Sequence, residues 1–125
     1  IGGGSFGTVT ANILADNNIQ VIQWLRNQDI ADSINQQHVN EQYLPGIALN
    51  PSLKATTVIE EAVVGADVIF VSVPSKSVRD VISGFAHLIS PQQALVSTTK
   101  GIEPDGFLLM SQVKTVTCVA IFKKP

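Results

Sequence analysis

Short apolar runs alternate with amphipathic stretches along the whole chain, and this alternation predicts its secondary structure. Four β-rich runs predict strands, at 19–24, 53–56, 67–73 and 94–98. Apolar positions at helical spacing predict helices at 8–16, 27–37, 57–64, 77–89 and 106–114. Residues 38–51 are rich in turn formers and are predicted to be a loop.

The pattern also predicts which side chains are buried. In the first helix, Val9, Ile13 and Leu14 share helical spacing and are the expected apolar face. The second helix is polar apart from Ile30 and Ile34, which are four residues apart and predict one buried stripe.

Two shorter patterns predict the start of a helix and the environment of a strand. Thr57 and Glu60 have the spacing of a capping box, which predicts the start of the third helix. The run 67–73 is almost continuously apolar and is stopped by Pro74, so it predicts a strand covered on both faces, as in parallel sheets.

Alternating strands and helices predict an α/β fold, a doubly wound and mainly parallel sheet. We expect one domain over 1–113 and a divergent tail over 114–125, where a β-branched run has no clear place in the sheet. The strand that should lead into the first loop is represented only by Ile1, so we interpret the chain as a fragment with a truncated first strand.

Composition narrows the classes of function. Of the 125 residues, 45% are hydrophobic and 14% charged, which is too apolar for a disordered chain. The net charge is −2 without a basic block, so no nucleic-acid partner is expected, and no apolar run is long enough for membrane insertion. A single cysteine, Cys118, excludes an internal disulfide and fits a reducing, cytoplasmic location.

The first seven residues contain a G-x-G-x-x-G motif formed by Gly2, Gly4 and Gly7. Gly2 permits a tight turn, Gly4 lets backbone amides approach a diphosphate, and Gly7 lets the next helix lie close to its strand. A diphosphate would then lie at the positive end of that helix. The motif predicts a dinucleotide site.

Ligands of open α/β sheets lie beyond the carboxyl ends of the strands. Four loops are predicted to follow such ends and to converge at one edge, at 2–7, 24–27, 74–76 and 99–102. In the second loop Arg26 stands where NAD-selective sites have an acid, and arginine can pair with a 2′-phosphate. We therefore expect NADPH/NADP as cofactor, with NADH/NAD as the alternative; a solvated surface arginine is the other interpretation.

Five short segments of the chain together form a recognisable set of motifs. They are Gly-Gly-Gly-Ser-Phe-Gly-Thr at 2–8, Trp-Leu-Arg at 24–26, Tyr-Leu-Pro-Gly at 43–46, Val-Pro-Ser at 73–75 and Thr-Lys-Gly-Ile-Glu at 99–103. With them the chain, from residue 1 to about 113, resembles the Rossmann-like N-terminal domain of bacterial-type NAD(P)-dependent glycerol-3-phosphate dehydrogenase.

The resemblance implies roles for individual residues. Ser5 and Phe6 match cofactor contacts, Arg26 matches the adenosine side of NADPH, and Tyr43 matches a further cofactor contact. Lys100 matches a lysine that touches both the cofactor and the phosphorylated substrate. The expected cofactor-binding residues are Gly2, Gly4, Ser5, Phe6, Gly7, Arg26, Tyr43, Pro74 and Lys100, and the expected substrate-binding residue is Lys100.

Each of these residues also has a purely structural interpretation. Phe6 could cover the core where helix meets sheet, and Tyr43 could be a packing residue of its loop. Pro74 could simply end a strand, and Lys100 could be a surface turn residue. No metal site is expected, because the two histidines lack acid, cysteine or histidine partners at ligand spacing.

The family reduces dihydroxyacetone phosphate to sn-glycerol 3-phosphate with NAD(P)H, for glycerophospholipid synthesis. The resemblance implies that the acid/base lysine lies in a helical C-terminal domain absent from this chain. The chain alone is therefore expected to bind cofactor at most, with no catalytic residue of its own, and the longer parent to form a homodimer. The alternatives are a dehydrogenase of the hydroxyacid or 6-phosphogluconate type and a non-catalytic dinucleotide-binding module.

Overall fold

A computed structural model of the chain describes residues 1–102, 106 and 108–113. The described residues divide between Ala62 and Val63 into two compact units. The elements in chain order are α1 Ser5–Asp16, β1 Ile22–Trp24, α2 Gln28–Gln37, β2 Val39–Asn40, β3 Leu44–Ala48, β4 Lys54–Thr56, α3 Ile59–Val63, β5 Val68–Val71, α4 Val78–Phe85 and β6 Ala94–Ser97. Short 3-10 turns, Ser75–Ser77 and Ala86–Leu88, flank α4.

The first unit is built around the parallel pair of β1 and β4. Ile22 is in register with Lys54, and Trp24 with Thr56. On the other side of β1, the Gly2 amide donates to the Trp24 carbonyl at 2.9 Å, so the chain before the glycine loop lies beside this strand. The core of the unit comes from both helices and the segments around the strands: Ala11, Ala15, Leu25, Ile30, Ala31, Ile34, Leu49, Leu53 and Ala55.

Helix α1 buries a different face from the predicted one. Its buried residues are small, namely Gly7, Thr8, Ala11 and Ala15, whereas Ile13 is 55% exposed. Val9 and Leu14 are only half-buried, because the small side chains between them form the face that approaches the rest of the unit. The helix also begins at Ser5 rather than at residue 8, because the second half of the glycine loop is already helical.

The prediction for α2 is confirmed. The Asn27 side chain accepts from the amide of Asp29 at 2.8 Å and caps the helix. Ile30 and Ile34 are both buried, as their spacing predicted. The helix ends at His38, which has a left-handed backbone (φ 58°).

Residues 38–51 are not only a loop, as predicted. They contain the antiparallel pair of β2 and β3, with Val39 in register with Ala48. Pro45 and Gly46 lie inside β3, whose residues are mostly exposed. An exposed strand lacks the apolar alternation from which a strand is recognised, and its proline and glycine resemble turn signals.

The predicted capping box at the start of α3 does not form. The hydroxyl of Thr56, one residue earlier, accepts from the Val58 amide at 3.0 Å and donates to Glu61 at 2.6 Å. The Thr57 hydroxyl instead donates to the Gln28 side chain at 2.9 Å.

The second unit contains the parallel pair of β5 and β6, in register from Val68 with Ala94 to Val71 with Ser97. Ile69 and Val71 are buried while Val68 is 44% exposed, so β5 is not covered evenly on both faces as predicted. Helix α4 is amphipathic as expected, with its buried side chains facing the same core. The buried apolar residues of this unit are Val63, Ile69, Val71, Val78, Ile82, Phe85, Ala86, Ile89, Met110 and Val113.

The last predicted helix is described only in part. Residues 110–113 are helical, Gly106 is in a turn, and residues 107 and 114 lie outside the described residues. Glu103, the tail over 114–125 and Cys118 also lie outside them.

Candidate functional site

The glycine loop leads directly into the N-terminus of α1. Gly2 has φ 119°, a backbone conformation that a side chain would strain, as expected of the residue that makes the turn. The first backbone bond of the helix runs from the Thr8 amide to the Gly4 carbonyl at 2.9 Å. Within the described part of the chain no side chain caps Gly4. The amides of residues 5–7 therefore lack acceptors within the helix, and this end of α1 is suited to bind an anion.

Two neighbouring glycines of the loop have opposite surroundings. A Cβ on Gly4 would have no heavy atom of the described residues within 4 Å, in agreement with its expected role at an open approach. A Cβ on Gly3 would stand 2.6 Å from the Cβ of Leu25. The motif does not predict a glycine at residue 3, because it allows any residue between Gly2 and Gly4.

The inner side of the loop rests on three buried polar side chains that sequence analysis also missed: Thr8, Gln23 and Asn40, which are 0%, 3% and 1% exposed. The Gln23 amide donates to the Gly2 carbonyl at 2.9 Å, and the Asn40 amide donates to the Gly3 carbonyl at 3.1 Å. Both amides also donate to the Thr8 hydroxyl, at 3.1 and 2.9 Å. In the sequence, only the polar Gln23 within the predicted strand 19–24 could have indicated this buried network.

Ser5 and Tyr43, both predicted cofactor contacts, lie together. The Ser5 hydroxyl donates to the Tyr43 carbonyl at 2.6 Å. Phe6 is 63% exposed and Tyr43 42% exposed, so neither residue is a buried packing residue. The exposure of Phe6 contradicts the alternative interpretation that it covers the core.

Arg26 lies just beyond the carboxyl end of β1 and is exposed. The preceding residue, Leu25, donates its amide to the Thr56 carbonyl at 3.0 Å, which continues the pairing with β4. The bond from Gly2 to Trp24 places the glycine loop at this same strand end. Two of the four predicted loops of the site, 2–7 and 24–27, are therefore neighbours.

In the second unit, the loops after β5 and β6 are also neighbours. The Thr99 hydroxyl donates to the Val73 carbonyl at 2.7 Å. A Cβ on Gly101 would stand 3.5 Å from the Ser75 side chain. Pro74 and Lys100, the predicted site residues of these two loops, are both exposed.

Titratable groups give limited additional information. Burial lowers the pKa of the Ile1 amine from 8.0 to about 6. Among residues 1–102, 106 and 108–113, no three acid, histidine or cysteine side chains form a possible metal cluster. No helix in the described part of the chain is long and apolar enough to cross a membrane.

Comparison with known proteins identifies the family. Residues 1–118 match the family described as the N-terminus of NAD-dependent glycerol-3-phosphate dehydrogenase. Glycerol-3-phosphate dehydrogenase [NAD(P)+] of Acinetobacter baylyi is 47% identical over 113 residues, which cover 90% of this chain and 31% of the relative. The enzyme of the same name from Bacillus pumilus is 43% identical, with coverage of 90% and 33%.

Solved structures agree. Glycerol-3-phosphate dehydrogenase of Coxiella burnetii superimposes with a TM-score of 0.86 at 30% identity, covering 94% of this chain and 36% of that protein. The Saccharomyces cerevisiae enzyme gives 0.83 at 26% identity, covering 93% and 37%. The predicted Rossmann-like α/β fold is thereby confirmed, in a chain that spans about a third of the length of these relatives. The chain belongs to the NAD-dependent glycerol-3-phosphate dehydrogenase family and corresponds to that family's N-terminal part.

Proposed function

We propose that this chain is the dinucleotide-binding part of an enzyme that reduces dihydroxyacetone phosphate to sn-glycerol 3-phosphate with NADPH or NADH. The observation that carries the proposal is the uncapped N-terminus of α1 behind Gly2 and Gly4 in a chain of this family. The Acinetobacter baylyi and Bacillus pumilus relatives are both named glycerol-3-phosphate dehydrogenase [NAD(P)+].

The diphosphate of the cofactor would bind at the glycine loop. The amides of residues 5–7 have no acceptor within the helix, and the open side of Gly4 allows an oxygen to approach them. The positive end of the helix dipole adds a favourable field for the two negative charges. Gly7 supports this geometry, since its burial brings α1 close to the rest of the unit.

Arg26 would bind the 2′-phosphate of NADPH. Its position beyond the end of β1, beside the glycine loop, is where the ribose of a dinucleotide lies in this fold. Its guanidinium can donate two parallel hydrogen bonds to a phosphate. Phe6 and Tyr43 would offer exposed apolar surface to the cofactor on the other side of the loop.

Pro74 and Lys100 are proposed contributors from the second unit. Both are exposed and lie in the neighbouring loops after β5 and β6. The ammonium group of Lys100 would neutralise the phosphate of the substrate as a point charge. The cofactor supplies the reductant, because its dihydronicotinamide transfers a hydride to the carbonyl carbon of the substrate. The described residues of this chain would bind and orient the cofactor and the substrate, and the new alkoxide would take its proton from a general acid that is not among them.

A chimera tests the activity. The matching 113 residues of this chain would replace those of the Acinetobacter baylyi enzyme, and oxidation of NADPH and NADH would be followed with dihydroxyacetone phosphate. Turnover that requires both substrates supports the proposal. Cofactor binding without turnover would favour a non-catalytic dinucleotide module, and turnover of a hydroxyacid instead would favour another dehydrogenase class.

A titration tests the cofactor preference. Trp24 is the sole tryptophan, and its indole donates to the Thr57 carbonyl at 3.0 Å near the end of β1. Its fluorescence should change saturably with NADPH, and Arg26→Ala should weaken NADPH binding about tenfold or more while leaving NADH binding nearly unchanged. Lys54→Ala, which removes an exposed cation from β4, is the matched control. An equal loss for both cofactors would contradict the role of Arg26.

A cytoplasmic location and a homodimer of the longer protein stay predictions. Fractionation of cells and the mass of the chimera in solution would test them.

A further inference from the structure

We propose that Thr8, Gln23 and Asn40 are positioning residues that aim the amides of the glycine loop at the cofactor. This inference rests on the proposed dinucleotide function and adds to it the part of the molecule that fixes the direction of the loop. Nothing in the glycine motif itself specifies that direction, because glycine adopts many backbone conformations.

In the glycine loop the direction of each amide is set by the carbonyl of the same peptide unit. A trans peptide is planar, and its carbonyl and its amide point in opposite directions. The Gly2 carbonyl therefore shares a plane with the Gly3 amide, and the Gly3 carbonyl with the Gly4 amide. Side chains that hold the two carbonyls inward consequently turn the two amides outward.

The buried side chains hold those two carbonyls. Gln23 donates to the Gly2 carbonyl at 2.9 Å, and Asn40 donates to the Gly3 carbonyl at 3.1 Å. The Thr8 hydroxyl adds a longer bond to the same Gly3 carbonyl, at 3.4 Å. Three elements, β1, β2 and α1, thus each contribute one donor to the loop.

The Thr8 hydroxyl joins the three side chains into one network. It accepts from Gln23 at 3.1 Å and from Asn40 at 2.9 Å while donating to Gly3. A hydroxyl has one donor and two acceptor sites, so its capacity is used fully. Each amide nitrogen likewise uses both of its protons, one on the loop and one on Thr8.

Asn40 extends the network to a second predicted cofactor residue. Its side-chain oxygen accepts from the Tyr43 amide at 3.3 Å, and the Tyr43 carbonyl accepts from Ser5 at 2.6 Å. The loop and the exposed Tyr43 are therefore fixed relative to each other by the same side chain.

Gln23 suggests that the network serves more than stability. Its Oε1 is buried and has no hydrogen-bond partner among the described residues. An unpaired buried oxygen costs free energy, and an apolar residue in this strand would avoid that cost. The favourable part of this side chain is the pair of bonds that it donates to Gly2 and Thr8.

The test uses the 125-residue chain with Thr8→Val and Thr8→Ser. Valine keeps the shape and removes the hydroxyl, whereas serine keeps the hydroxyl. NADPH and adenosine 2′-phosphate are the two probes, since the second lacks the diphosphate. We expect Thr8→Val to weaken NADPH binding about tenfold or more and to leave adenosine 2′-phosphate unchanged, with Thr8→Ser close to the parent. Thr10→Val, the same change in the same helix, is the matched control.

A readout without ligand separates this inference from the proposed function. NMR order parameters of the Gly3 and Gly4 amides should fall from about 0.85 in the parent towards 0.6 in Thr8→Val. If the parent binds no NADPH, the proposed function fails, and the order parameters still decide whether the network holds the loop. If Thr8→Val does not fold, Asn40→Asp replaces it, since aspartate keeps the acceptor for Tyr43 and loses the donor to Gly3.

Two results would overturn the inference. One is an equal loss of affinity for both probes in Thr8→Val, which a merely structural role would give. The other is an unchanged NADPH affinity together with unchanged order parameters.

Discussion

The two units of the chain fix the ends of their parallel strands by different means. In the first unit, buried amide side chains hold the carbonyls of a glycine loop. In the second unit, the hydroxyls of Thr98 and Thr99, which are only partly buried, donate to the carbonyls of Val71 and Val73. The first arrangement presents backbone amides, and the second presents a side-chain cation, Lys100, on an exposed loop. The comparison teaches that the two loops differ in their support: buried amide side chains hold the first, and partly buried hydroxyls hold the second.

In each unit an amide side chain outside these loops bonds two backbone groups at once. Asn35 of α2 makes two 2.8 Å bonds with the amide and carbonyl of Ala55 and so completes the edge of β4. Gln93 donates to the carbonyls of Val63 and Ala66 at 2.7 and 2.6 Å. Asn35 pairs a donor and an acceptor of one residue, so its loss would leave both unpaired.

The largest effect is expected from an added methyl group in the glycine loop. Gly3→Ala would force its Cβ against the Cβ of Leu25, which cannot move without the backbone, and should cost about 3 kcal/mol of unfolding free energy. Gly4→Ala is the matched control and should cost less than about 1 kcal/mol, because its methyl group meets no described atom. Urea unfolding followed by Trp24 fluorescence measures both. Equal costs would contradict the close packing of Gly3 against Leu25.

The next effect is the pH dependence of the first unit. The folded pKa of the Ile1 amine, about 6, lies below its ordinary 8.0 because of burial. Between these values the unfolded chain binds a proton that the folded chain does not, so stability falls as the pH is lowered from 8 to 6 and levels off below. The full change is about 2–3 kcal/mol for a chain that begins at Ile1. An acetylated N-terminus should remove this contribution, and an identical profile would contradict its assignment to the amine.

A smaller effect should distinguish the two backbone-satisfying amides. Asn35→Ala should cost about 2 kcal/mol, because it leaves a donor and an acceptor of β4 unpaired. Gln93→Ala removes the partners of two carbonyls and of the Ser90 amide, which donates to Oε1 at 2.7 Å. It should cost only about 1 kcal/mol, because Ser90 and Ala66 are half-buried and water can replace the lost partner. Circular dichroism in urea measures both variants. A larger loss in Gln93→Ala would reverse the expected order.

The smallest effect is expected from the hydroxyl contacts of the second unit. Ser72→Ala removes one partner of the partly buried Thr98 hydroxyl and should cost about 0.5–1 kcal/mol. Thermal unfolding followed by circular dichroism measures this loss of stability. A cost as large as that of Gly3→Ala would remove the difference between the units.

Local signals made much of the fold predictable. The Ile30 and Ile34 stripe defined α2 because helical periodicity needs only neighbouring residues. The strand β4, Lys54–Thr56, lies within the short run 53–56 that was predicted to be a strand. The hairpin of β2 and β3 was missed because β3 is mostly exposed and β2 is only two residues long, so no apolar alternation marks it.

The site was predictable only where a motif describes it. Gly2 and Gly4 follow from the glycine spacing, whereas the support beneath them depends on residues far apart in the chain. Thr8 meets Gln23 across 15 positions and Asn40 across 32. No local pattern encodes such contacts, and the polar character of Gln23 inside a strand becomes meaningful only in three dimensions.

The central claim is that the amides of the glycine loop bind the diphosphate of a dinucleotide. Amide-resolved NMR during a titration with NADPH tests it most directly, in the parent chain and in Gly4→Ala. The account predicts saturable shifts of the amides of residues 3–7 in the parent and their loss in Gly4→Ala, whose methyl group enters the open side of the loop. Saturable binding that leaves these amides unmoved, or that is undiminished in Gly4→Ala, would contradict it.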